Sequence, residues 1–84
     1  MTLTEPNLVP TKITTLDAKG LKCPMPIVKT AQQIKTIASG ELLEVLTTDP
    51  GAVADFAAWS RSTGNSIVEQ TIADGVYRFV LRRK

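Results

Sequence analysis

Short apolar and β-branched segments recur along the chain, and this pattern predicts four β-strands. The segments are residues 13–17, 41–48, 66–72 and 76–82. Between the last two lies Asp74-Gly75, a dipeptide that favours the type I′ turn of a β-hairpin. The sequence therefore predicts an antiparallel hairpin over residues 66–82.

The turn also predicts the register of this hairpin. A two-residue loop sets Ala73 opposite Val76, so that the next pairs on the same face are Ile72 with Tyr77, Gln70 with Phe79, and Val68 with Leu81. This face is apolar except for Gln70. On the other face we expect Glu69 and Arg78 to form a diagonal cross-strand ion pair.

The segment after the first strand has apolar residues at helical spacing. We interpret it as a helix that begins at Pro24 and ends at Ser39-Gly40. Its apolar stripe comprises Ile27, Ala31, Ile34 and Ala38, widened by Val28 and Ile37.

A second helix is predicted after the second strand. Asp49 is suited to the N-cap and Pro50 to the first helical position, and Gly64-Asn65 marks the end of the helix. One narrow stripe contains Val53, Phe56, Ala57 and Ser60, with Trp59 on its flank.

The order of elements, β-α-β-α-β-β, predicts the fold class. A right-handed crossover makes the first two strands parallel and places both helices over one face of the sheet. The expected architecture is an α+β two-layer sandwich, with a four-stranded mixed sheet and two helices on one face. The other face stays open, and we expect Ile67, Val76 and Val80 to be partly exposed there.

Composition bounds the domain organisation and the location. With 84 residues, the chain is expected to form a single domain over residues 13–84, preceded by a short polar extension over residues 1–12. That extension lacks the pattern of a signal peptide, and no apolar run is long enough for a membrane helix. A free cysteine in such a chain predicts a cytoplasmic protein.

Residue counts also exclude several kinds of chemistry. The chain has one cysteine, Cys23, and no histidine. An intramolecular disulfide, a CxxC motif and catalysis by a Ser-His-Asp or Cys-His set are therefore excluded. We expect no metal and no cofactor.

Cys23 is the candidate for chemistry because of its position. Parallel strands end at one edge of the sheet, and ligands in open α/β sheets gather at that edge. There Cys23 is predicted to cap the first helix, with the Met25 amide as hydrogen-bond donor, since Pro26 lacks an N–H. The helix dipole and the nearby Lys19 and Lys22 favour the thiolate, for which pKa values of roughly 3.5–7.5 are typical. The alternative is that Cys23 is an inert, small apolar residue, as most free cysteines are.

The segment Gly20-Leu21-Lys22-Cys23-Pro24-Met25-Pro26 resembles the G-L-x-C-P-x-P signature of the TusA/SirA-like sulfur carrier proteins. The similarity extends over roughly residues 14–83. It implies the same βαβαββ fold and a cysteine, Cys23, that carries sulfane sulfur as a persulfide. It also implies that Pro24 and Pro26 hold the loop and that Gly20 permits its turn.

The resemblance extends to partners and to less certain positions. Donors in this family are cysteine desulfurases or rhodanese-type sulfurtransferases, and acceptors serve tRNA 2-thiolation, sulfur oxidation or cofactor biosynthesis. Met25 occupies a variable position that can tune partner choice, and Asp49 matches a recurring acidic position near the cysteine. The carrier is expected to be a monomer that docks its two protein partners in turn.

Two other functions stay open on the sequence. One is a small nucleic-acid-binding or regulatory module, since Arg78, Arg82, Arg83 and Lys84 form a basic strand end. Direct binding of nucleic acid is disfavoured by the net charge of only +2 and by the scarcity of aromatic residues that could stack on bases. The other is an interaction module that dimerises through the open face of the sheet.

Overall fold

The computed structural model describes residues 12–84, which form one four-stranded sheet and two α-helices. The strands are β1 (Ile13–Ala18), β2 (Leu42–Thr47), β3 (Ser66–Ala73) and β4 (Val76–Arg82). The helices are α1 (Met25–Gln33), followed by a 3-10 turn over Ile34–Thr36, and α2 (Ala52–Thr63). The predicted α+β class and βαβαββ order are confirmed. The predicted N-terminal extension lies outside the described residues, except for Lys12.

The sheet has the order β1-β2-β4-β3. β1 and β2 are parallel, whereas β4 is antiparallel to both of its neighbours. β3 therefore runs in the same direction as β1 and β2. As a result, the starts of both helices and the turn between β3 and β4 lie at the carboxyl edge of β1 and β2.

The core lies between the helices and one face of the sheet. The fully buried apolar side chains of the two central strands are Leu43, Val45, Phe79 and Leu81. From α2, Phe56 stacks on Phe79 with a centroid distance of 4.5 Å, and Trp59 contacts Phe56 edge-on at 6.2 Å. Neither described helix combines the length and the apolar character needed to cross a membrane.

The first helix is shorter than predicted, and its buried face is different. Ile37 has extended backbone, with φ −107° and ψ 161°, and so enters the core from outside the helix. Ala38 and Val28 are exposed, which contradicts their place in the predicted stripe. Thr30 is buried instead, because its hydroxyl donates to the carbonyl oxygen of Pro26 at 2.8 Å and thus needs no water.

The second helix begins later than predicted. Gly51 is its N-cap and Ala52 its first residue, while Gly64 ends it in the left-handed conformation, with φ +83°. The buried residues of this helix are Ala52 and Phe56. Val53 is 39% exposed, so the predicted stripe is wrong at that position.

The hairpin confirms the predicted turn and part of the register. Both turn residues have positive φ, 53° at Asp74 and 76° at Gly75, as a type I′ turn requires. Pairing follows the prediction from the turn as far as Gln70 opposite Phe79. A β-bulge then places Ile67, not Val68, opposite Leu81. Ile67 therefore packs against the core, contrary to the expectation that it lies on the open face.

A row of polar side chains crosses the open face of the sheet from one outer strand to the other. Thr15 donates to Glu44 at 2.8 Å, and the Arg78 guanidinium binds both Glu44 and Glu69, the latter at 2.8 Å. The predicted Glu69–Arg78 ion pair is thus confirmed. Val80, whose register partners are Glu44 and Glu69, is only 3% exposed, so the expectation that it is exposed is wrong.

The dimerisation hypothesis loses two of the three residues on which it was based. Of the three residues that motivated that hypothesis, Ile67 faces the core, Val80 is buried and Val76 is half-buried. This leaves the hypothesis with little support.

The polar row predicts a specific loss of stability in acid. Hydrogen bonds from Arg78 and Thr15 lower the pKa of Glu44 below its usual value. A lowered native pKa adds stability above the unfolded pKa of about 4.3, and this stability is lost as the pH falls through the native value. We expect Glu44→Gln to lower the free energy of unfolding by about 1–2 kcal/mol at pH 7, and by less as the pH falls below about 4.

Urea unfolding from pH 7 to pH 3 checks this prediction. Thr15→Val removes only one of the two donors to Glu44 and should give a smaller change in acid dependence. If wild type and Glu44→Gln lost stability in parallel over the acid range, Glu44 would not be the group responsible.

Candidate functional site

Two loops meet at the carboxyl edge of the sheet and form the candidate site. The first connects β1 to α1 and contains Gly20 and Cys23, and the second connects β2 to α2. Gly20 has φ +82°, a conformation that favours glycine, and its amide donates to the Thr48 hydroxyl of the second loop at 3.0 Å. The predicted turn residue thus holds the two loops together.

Cys23 is exposed, and it precedes the helix cap rather than forming it. Pro24 is the N-cap of α1, without a side-chain hydrogen bond, and Pro26 occupies the second helical position and is buried. The Met25 amide donates to the Lys22 carbonyl at 2.8 Å. The prediction that this amide serves the thiol is therefore wrong. The Cys23-Pro24 peptide is cis.

Asp49 ties the cysteine loop to the start of α2. One carboxylate oxygen, Oδ2, accepts from the Cys23 amide at 3.1 Å, and the other, Oδ1, accepts from the Gly51 amide at 3.1 Å. The predicted N-cap role of Asp49 is wrong, since Gly51 occupies that position and the Asp49 backbone carbonyl accepts from Ala52 in the turn before the helix. The carboxylate instead bonds backbone groups of both loops.

The Cys23 sulfur lies among carboxylates. Its Sγ and one oxygen each of Asp49 and Asp55 lie within 4.8 Å of one another. The pKa of the Cys23 thiol is raised above its ordinary value, first because the thiol hydrogen-bonds to the Asp55 carboxylate, then through desolvation and the negative charges of Asp55 and Asp49. The predicted lowering of this pKa is therefore wrong. Sequence reasoning missed Asp55, although it lies in the first turn of a helix that the topology brings to this edge.

The positive charges of the two predicted lysines, Lys19 and Lys22, do not offset the negative charges of these carboxylates. Lys19 forms an ion pair with Asp17 of β1 at 3.9 Å, so its charge is partly neutralised there. Lys22 is exposed beside the cysteine and lines the same cleft. The electrostatics of the thiol are therefore set by the acidic residues of the second loop and of α2.

A cleft of about 440 Å³ opens beside the thiol, lined by residues 20–23 and 48–50. Met25, next to this loop, is 38% exposed. Within residues 12–84, Cys23, Asp49 and Asp55 are the one set of potential metal-binding groups that lie close together. Three groups fall short of the four protein ligands of a structural zinc site.

Of the four cations of the basic strand end, Arg82, Arg83 and Lys84 lie at the opposite edge of the sheet, whereas Arg78 lies near the start of β4. Two of the four have internal partners. Arg78 binds Glu44 and Glu69, and the Arg83 guanidinium donates to backbone carbonyls of Lys35 and Ile37 after α1. Phe56 and Phe79 are completely buried and cannot stack on bases. These contacts weaken the nucleic-acid hypothesis.

Comparisons with known proteins agree with the motif and with the fold. The chain is 47% identical over 68 residues to the putative sulfur carrier protein YrkI of Bacillus subtilis. The matched residues make up 81% of this chain and 91% of that protein. It is 40% identical over 68 residues to the sulfur carrier protein TusA of Allochromatium vinosum, and the match covers 81% of this chain and 90% of that protein.

A solved structure shares the fold. The SirA-like protein of Desulfitobacterium hafniense superimposes with a TM-score of 0.73 at 22% identity, over 84% of this chain and 96% of that one. A sequence model of the family described as sulfurtransferase TusA matches residues 14–83. The chain therefore belongs to the TusA family of sulfur carrier proteins.

Proposed function

We propose that this protein carries sulfane sulfur as a persulfide on Cys23, which it takes from a donor protein and passes to an acceptor protein. The observation that carries the proposal is the exposed Cys23 thiol beside an open cleft, at an edge where two loops are fixed by hydrogen bonds. Membership of a sulfur carrier family supports the same chemistry.

The transfer is a thiol exchange that needs no oxidant, metal or cofactor. In loading, the Cys23 sulfur attacks the outer sulfur of a donor persulfide, R–S–SH. A new S–S bond forms on Cys23, the donor S–S bond breaks, and the thiol proton ends on the donor as R–SH. In unloading, an acceptor thiolate attacks the outer sulfur of Cys23–S–SH, and Cys23 leaves as the thiol after it takes up a proton.

The residues around Cys23 suit such an exchange. Gly20, Pro24 and Pro26 hold the loop that presents the sulfur, and Asp49 joins it to the second loop. The exposed Lys19, Lys22 and Met25 flank the sulfur, where a docking partner would meet them.

The proposal extends to the identity of the donor and the acceptor. A cysteine desulfurase or a rhodanese-type protein is the donor that we expect, and a protein of tRNA 2-thiolation, sulfur oxidation or cofactor biosynthesis is the acceptor. We further predict a monomer that works in the cytoplasm.

Intact-protein mass spectrometry tests the proposal. The chain is incubated with a cysteine desulfurase and cysteine, and separately with a rhodanese and thiosulfate. We expect the mass of one added sulfur atom, located on the Cys23 peptide and removed by a reducing thiol. No added sulfur from either donor would contradict the proposal.

A further inference from the structure

Asp55 is the acidic residue of α2 that reaches the cysteine. It lies in the first turn of that helix and is half-buried, whereas Cys23 is exposed at the end of the loop between β1 and α1. A carboxylate oxygen of Asp55 lies within 4.8 Å of the Cys23 sulfur. This proximity brings together two elements far apart in sequence at the atom that the proposed transfer uses.

The two carboxylates near the sulfur have different surroundings. Both oxygens of Asp49 accept backbone amides, those of Cys23 and Gly51. Among residues 12–84, the side chain of Asp55 forms no ion pair, and the backbone amides that donate to aspartate side chains there donate to Asp17 and Asp49. The Asp55 carboxylate is therefore available to the thiol. A carboxylate beside a thiol favours the protonated form, because the thiolate would add a second negative charge.

We propose that Asp55 is a positioning residue that holds the proton on Cys23 and so restrains the reactivity of the resting carrier. This inference rests on the proposed function, since it concerns the same sulfur. The raised pKa of the thiol, whose largest cause is the Asp55 carboxylate, agrees with the geometry.

The other charged groups near the sulfur do not replace Asp55 in this role. Asp49 adds negative charge from the second loop, but its oxygens are occupied by amides. Lys22 and Lys19 come from the cysteine loop itself, and Lys19 is paired with Asp17. Removal of the Asp55 charge is therefore the single change that we expect to release the thiol proton most.

The proposal has a chemical consequence for the carrier between partners. The thiolate is the form that reacts with oxidants and alkylating agents, so a protonated Cys23 is protected while it is free in solution. During loading, the proton that leaves the Cys23 sulfur passes to the departing thiolate of the donor, so that the products are Cys23–S–SH and R–SH.

The pH dependence of Cys23 alkylation by iodoacetamide tests this role in the full chain. We expect Asp55→Asn to move the midpoint of the rate profile to lower pH. Below the midpoint, each unit of this shift should raise the alkylation rate about threefold, since the tenfold gain in thiolate is offset by lower nucleophilicity. Asp55→Glu keeps a carboxylate and should retain most of the high midpoint.

Asp74→Asn is the matched control. It removes the same charge at the same edge of the sheet, in a turn position with φ 53° that asparagine tolerates, and should leave the midpoint unchanged. If Asp55→Asn does not fold, as judged by circular dichroism, Asp55→Ser provides the same test. A midpoint that stays in place or rises in the folded variant would overturn the proposal.

Failure of this inference can be told apart from failure of the proposed function. If wild type gains sulfur in the mass-spectrometric assay but Asp55→Asn keeps the wild-type midpoint, only the role of Asp55 is wrong. If wild type gains no sulfur, the carrier function is wrong, whatever the alkylation profile shows.

Discussion

Cys23→Ser is expected to abolish persulfide loading completely while the protein stays folded. Serine has nearly the same shape, but its hydroxyl does not take sulfur from a persulfide at neutral pH. Cys23 is exposed and takes no part in the core cluster, so the free energy of unfolding should change by no more than about 0.5 kcal/mol. Mass spectrometry after incubation with each donor, together with urea unfolding, measures both effects.

Wild type alkylated at Cys23 is the control for this variant. It keeps every other side chain, and it should also fail to load sulfur. If Cys23→Ser still gained sulfur, another residue would be the acceptor. A loss of more than about 2 kcal/mol in Cys23→Ser would show that the cysteine is structural, as core cysteines are.

Phe56→Ala is expected to cause the largest loss of stability, about 3–5 kcal/mol. The Phe56 side chain is completely buried, stacks on Phe79 at 4.5 Å and contacts Trp59 edge-on at 6.2 Å. Truncation leaves a cavity between α2 and the sheet and removes two aromatic contacts. A domain of this size has a total stability of roughly 4–13 kcal/mol, so the variant should be partly unfolded at 37 °C.

Val53→Ala provides the comparison within the same helix. Val53 is 39% exposed, and its truncation should cost no more than about 0.5–1 kcal/mol. The midpoints of urea unfolding compare the two variants directly. Similar losses for both would mean that α2 does not pack on the sheet through Phe56.

The fold was predictable where a local signal agreed with the topology. Asp74-Gly75 fixed the turn, and with it the pairing of β3 and β4 as far as Gln70 and Phe79. Between Glu69 and Ile67 the bulge at Val68 shifted the register, and no glycine or proline marks it in the sequence. Helical spacing alone also could not show that Ile37 enters the core in an extended conformation, because its position fits the stripe equally well.

The position of the site was predictable from the sequence, but the charges that surround the thiol were not. The order of strands and helices placed Cys23 at the carboxyl edge, and the family resemblance implied that Asp49 is near it. The Cys23 amide and the Asp49 carboxylate are hydrogen-bonded. The state of the thiol depends on side chains from another helix. Lys22 is next to Cys23 in sequence, whereas Asp55 is adjacent only in the fold, so a local interpretation overestimated the cations.

The bulge at Val68 also affects how the chain behaves at high concentration. β3 is an outer strand of the sheet, and the unpaired amides and carbonyls of such a strand are a template for association with other molecules. Ile72, on this strand, is 61% exposed and would favour such association. The extra residue twists the strand and interrupts the regular spacing of its free hydrogen-bonding groups, so an incoming strand cannot pair along its whole length. We therefore expect the irregularity that defeated the register prediction to disfavour edge-to-edge aggregation.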